Sequence, residues 1–124
     1  MSEEAGRQAL RPSVGGMLSF NLVEEAARLK AKPEWSTRDR LAVSLVKDDA
    51  LNLMLMALKQ GARLEEHRAK GPISVQLLAG RIRFGAAGEK VELSPGNVIA
   101  LDREIPHELE ALDESIVLLT TSIG

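Results

Sequence analysis

His67 and His107 are the only two histidines in a chain of 124 residues that has no cysteine and no tyrosine. Imidazole is the side chain best suited to ligate a metal or to move a proton near neutral pH, so any such chemistry centres on this pair. Glu65 precedes His67 by two residues and would share its face of an extended strand. Together His67, His107 and Glu65 would make a two-histidine, one-carboxylate set of the kind that holds non-haem iron. Other chemistries find no support in the residues. Thiolate metal sites, thiol catalysis and disulfides need cysteine. There is no phosphate-binding Walker loop, no GxGxxG after a strand and no GxSxG elbow. Ser74 reads as an ordinary strand serine rather than a nucleophile, and no acidic residues fall at calcium-loop spacing. Met54 and Met56 share a strand face, but two thioethers with no His or Cys beside them read as core filler.

The elements that must position the histidines are mostly strands. Residues 1–18 mix charge, Pro and Gly and read as a flexible arm, acidic at its start and without the apolar core of a secretion signal. Asn21 is suited to cap a helix over about 21–32, with Glu24 three residues on. Leu22, Val23, Ala26 and Leu29 form one face of that helix, and Pro33 stops it. Its expected role is packing against a sheet or a partner. The period then changes to two. Leu41–Val46 alternates, and Leu51–Leu58 is apolar on nearly both faces, as a strand covered on two sides must be. Short strand runs follow at Arg63–His67, Ile73–Leu78, Arg81–Phe84, Lys90–Leu93, Val98–Leu101, Ile105–Leu112 and Ser115–Thr121. Gly85–Gly88 reads as a hairpin loop, and Ser94-Pro95-Gly96-Asn97 suits a type II turn. One helix followed by many short strands predicts an all-β sandwich or barrel over about 38–123, in one domain spanning 19–124.

Composition sets limits on partners. A net charge of −2 provides no electrostatic footprint for nucleic acid or an anionic membrane. Phe20, Phe84 and Trp35 are the only aromatics, too few to stack bases. No apolar run approaches membrane-spanning length. The expectation is a cytoplasmic domain that engages neither nucleic acid nor membrane.

From Gly61 the chain resembles the cupin superfamily. That family's first motif runs Gly, five residues, His, any residue, His, three or four residues, Glu, six residues, Gly. Gly61, His67 and Gly80 stand at the matching positions, with Ala69 in the second His slot and Ile73 in the Glu slot. The second motif runs Gly, five residues, Pro, any residue, Gly, two residues, His, three residues, Asn. Gly96 and His107 match it, while Asp102, Glu104 and Ala111 fill the Pro, Gly and Asn slots. The likeness covers roughly residues 57–119. It implies a cupin-type jelly-roll β-barrel with one N-terminal α-helix, commonly a homodimer. In metal-binding members the matching residues hold Fe, Mn, Ni, Zn or Cu. Here only His67 and His107 carry over, because alanine and isoleucine have no donor atom.

Strand parity extends this reading. An inward Ile73 brings Val75 and Leu77 to the same wall, and Leu109 and Ala111 share the face of His107. Three functional readings follow. A cavity carrying His67 and His107 binds a small molecule, with little or no tightly bound metal. Alternatively, those two residues, with Glu65, hold a divalent metal in an oxygenase or isomerase. In the third reading they are structural residues of a non-catalytic regulatory or structural domain. Whether the chain is an enzyme stays open at this point.

Overall fold

The computed structural model describes residues 16–122. Most of the N-terminal arm therefore lies outside the described residues, and Gly16, Met17 and Leu18 are exposed. Helix α1 spans Leu22–Lys30. Asn21 adopts an extended backbone and its side chain accepts the Glu24 N–H at 3.1 Å, so one of the four orphan donors of the first turn is satisfied. The helix stops short of Lys32 because a residue before proline is pushed out of helical space. Lys32 is indeed extended, at φ −73° and ψ 142°, and Pro33–Ser36 begins a separate 3-10 turn.

Among the described residues nine strands follow: β1 (Arg40–Lys47), β2 (Asn52–Leu58), β3 (Arg63–His67), β4 (Ile73–Ala79), β5 (Ile82–Ala86), β6 (Glu89–Leu93), β7 (Val98–Leu101), β8 (His107–Ala111) and β9 (Ser115–Thr121). They form a five-stranded sheet in the order β1-β2-β9-β4-β7 and a four-stranded sheet in the order β3-β8-β5-β6. Every pairing is antiparallel. The chain crosses between sheets repeatedly, which is the connectivity of a jelly roll.

Alternation along the strands decides which side chains enter the space between the sheets. Ile73, Val75 and Leu77 of β4 are buried there, as are Leu109 and Ala111 of β8, Ile82 and Phe84 of β5, and Met56, Leu58 and Val117. Met54 packs against the same core, so the two methionines fill volume as expected. Strand β2 is apolar on both faces because a second core lies outside the five-stranded sheet. There Ala26 and Leu29 of α1 pack on Leu45, Leu55, Ala57 and Ile116.

Two turns show why their residues are where they are. Gly96 has φ +95° behind Pro95, and Asn97 N–H donates to Ser94 O at 2.9 Å, a type II turn. The β5–β6 hairpin is tighter than the four-residue loop expected. Gly85 and Ala86 continue β5, and only Ala87 (φ 54°) and Gly88 (φ 77°) make the turn. Two positive φ values match the twist of the flanking strands, which lets them stay paired to the end.

Candidate functional site

The last residue of β3 and the first of β8 face each other across their ladder. His67 and His107 are register partners, and their ring centroids lie 4.2 Å apart at an interplanar angle of 63°. His107 is buried, 6% exposed, whereas His67 is exposed, so the pair sits at a rim with His107 innermost. Phe84 on β5 stacks beside His107, with centroids 5.7 Å apart. The loop before His107 is tied to the loop after His67 by Glu104 N–H donating to Ala69 O at 2.8 Å.

Hydrogen bonding orients both rings. Nδ1 of His67 lies 3.0 Å from Glu65 O, and Nδ1 of His107 lies 2.9 Å from Ile105 O. A backbone carbonyl only accepts, so each Nδ1 carries the proton that it donates. In a neutral ring Nε2 then presents a lone pair, and the two Nε2 atoms stand 3.1 Å apart, within hydrogen-bond distance when one of them carries a proton. Two bare lone pairs at that distance repel. The arrangement is satisfied by a proton held on one ring and shared with the other, or by an N–H or O–H donor or a cation between or above them.

Glu65 does not join the pair. Between Leu64 and His67 the β3–β8 register slips, so that three steps on β3 oppose two on β8. Such a bulge breaks the period of two. Leu64 lines the cavity with His67, while Glu65 is exposed. Its charge is felt at Arg40 instead. Arg40 is held above its usual pKa chiefly by its hydrogen bond to Asp39, opposed by partial burial, with Glu65 a smaller contributor. Strict alternation was the wrong rule for this segment. The signal that could have corrected it is Leu64-Glu65-Glu66-His67 itself, where two polar residues separate two inward ones.

The space beside the imidazoles is small and apolar. A cavity of about 30 Å³ is lined by His67 and His107 together with Met56, Leu64, Ile73, Val75, Phe84, Leu109, Val117 and Leu119, and by Glu108. That leaves room for a water molecule or one small polar group. Ile73 is buried in the wall and Ala69 packs against the core, and neither offers a donor. Among the described residues no three His, Asp or Glu side chains are grouped to hold a metal. A resident centre usually draws three or four protein ligands. Two imidazoles alone do not make up that set.

No family model matches the sequence, and no curated protein matches it. Solved structures do. A cupin superfamily protein from Desulfitobacterium hafniense aligns with a TM-score of 0.67 at 20% identity, covering 68% of this chain and 78% of that one. An RmlC-like cupin from Desulfovibrio desulfuricans aligns at 0.69 and 22% identity, over 86% of this chain and 97% of that one. An oxalate decarboxylase variant from Bacillus subtilis aligns at 0.62 and 21% identity, over 68% of this chain and 26% of that one. Likeness at these identities is likeness of backbone, and it agrees with the jelly-roll topology: the chain is a small cupin-fold domain.

Proposed function

We propose that this cupin-fold domain binds a small molecule whose hydrogen-bond-donating end is received by His67 and His107, without a resident metal. The observation that carries the reading is the 3.1 Å approach of two Nε2 atoms whose rings are each held by a backbone carbonyl. An ammonium or hydroxyl group is the complement of such a pair. The cavity of about 30 Å³ admits only that tip. An apolar body would lie at the rim, beside partly buried side chains such as Leu64 and Leu119. Binding of this type uses a few placed polar groups on an apolar wall.

The test is a ligand-observed NMR screen of small primary amines and alcohols against the full chain. Binding should weaken by about tenfold or more in His107→Ala, the loss of one well-made hydrogen bond to a buried partner. Equal affinities for the original chain and for a variant lacking both imidazoles would overturn the proposal.

A second reading has one observation in its favour. Nε2 atoms 3.1 Å apart, with each Nδ1 backed by a carbonyl, are also how two histidines converge on a divalent ion. In that case a transition metal would polarise a bound substrate, as in an oxygenase or isomerase, with His67 and His107 as its protein ligands. Elemental analysis separates the two readings. Near-stoichiometric metal in purified protein, lost on His67→Ala, establishes the second and ends the first.

A further inference from the structure

The outer face of the four-stranded sheet carries its charges in rows that cross the strands. Over much of it opposite signs meet. Arg83 pairs with Glu110 at 3.4 Å, and Arg81 pairs with Glu92 and Asp113 at 3.2 Å each. The row at the histidine end is different. There the bulge in β3 sets Glu65 and Glu66 against Glu108 of β8. Gly85 of β5 stands opposite Glu108, and Lys90 of β6 opposite Gly85. Among the described residues the side chains of Glu66, Glu108 and Lys90 make no hydrogen bond or ion pair. Like charges opposed on a ladder are unfavourable.

Gly85 leaves a recess in that row. A Cβ there would lie 3.2 Å from Cγ of Glu108 and 3.6 Å from Cγ of Lys90. The recess belongs to a cleft of about 440 Å³ whose charged residues are Glu66, Glu89, Glu108 and Lys90, so a cation suits it. His107 and Glu108 line both this cleft and the histidine cavity, and the two spaces adjoin there. His107 is 6% exposed, and with both rings neutral its Nε2 meets only another acceptor, Nε2 of His67. A buried acceptor without a donor thus lies beside carboxylates without a cation. A hydroxyl group answers the first need alone, whereas ammonium groups answer both.

Resting on the small-molecule reading of His67 and His107 given above, we propose that the ligand is a linear diamine. One ammonium is received by the two imidazoles, and the other lies in the Gly85 recess against Glu66 and Glu108. The alkyl chain between them crosses the rim.

Ligand-observed NMR titrations of the full chain test this with hexanol, hexylamine and a diamine series from diaminobutane to diaminooctane. At its best length the diamine should bind about fivefold or more tighter than the matching monoamine, more than the about twofold that two equivalent ends give by statistics. Glu66→Gln combined with Glu108→Gln should reduce the advantage to that statistical factor. Both residues lie at the surface or half-buried, so thermal unfolding should hardly move. Lys90→Gln should widen the advantage by removing the cation of the cleft. A diamine no better than its monoamine, or an advantage that survives the double substitution, would overturn the proposal. Binding of hexanol that depends on the imidazoles, with no preference for amines, would end this proposal alone. No imidazole-dependent binding of any probe would end the reading beneath it as well.

Discussion

Glu104 holds φ at +62°, a left-handed conformation that costs a residue with a Cβ about 1–2 kcal/mol. It does so because the loop must turn there to bring its N–H onto Ala69 O and deliver His107 to the start of β8. The position is the one that corresponds to a glycine in the cupin motif, and the backbone explains why. Glu104→Gly should remove that strain and lose part of the gain to the greater freedom of glycine in the unfolded chain. The expected net is a stabilisation of up to about 1 kcal/mol, read by urea denaturation. A neutral or destabilising result would mean that the Glu104 side chain contributes something the backbone geometry does not reveal.

At the scale of the element, the corner between β4 and β5 is the most tightly determined. Gly80 has φ +92°, and a Cβ there would overlap Glu114 O and Ser115 Oγ. Ser115 is fully buried in this corner. Its hydroxyl accepts the Arg81 N–H at 3.0 Å and donates to Asp113 O at 2.8 Å. Gly80→Ala therefore meets both backbone strain and overlap with backbone atoms that cannot move aside. We expect a loss of about 2–4 kcal/mol in denaturant unfolding, the sum of a strained φ and an overpacked contact. Gly61, also at positive φ (89°), has nothing within 4 Å of its Cβ position, so alanine there should cost only the strain.

For the whole molecule, stability rests between the sheets rather than on the charged face. Leu77 is fully buried in the inter-sheet core, so Leu77→Ala should cost about 2–5 kcal/mol, including the cavity left behind. Arg83 and Glu110 sit on the outer face with substantial exposure, so Arg83→Ala should change stability by less than about 1 kcal/mol. Comparable losses from the two substitutions in thermal unfolding would contradict this division.

Pattern alone determined much of this fold. Period-two runs, glycines at turns and the Pro95-Gly96 signal located the strands, because side chains alternate across any half-buried strand whatever it pairs with. Parity also placed Ile73, Val75, Leu77, Leu109 and Ala111 on the inner wall. Two matters needed the third dimension. One was the fate of Glu65, since a bulge is a mismatch between two strands and only the register of β3 against β8 shows it. The other was the direction of the imidazole nitrogens. Their Nδ1 partners are the backbone carbonyls of Glu65 and Ile105, and every residue carries a carbonyl, so no choice of side chain announces them. Residue types in the chain named two histidines, but only the folded ladder turned both Nε2 atoms toward one point.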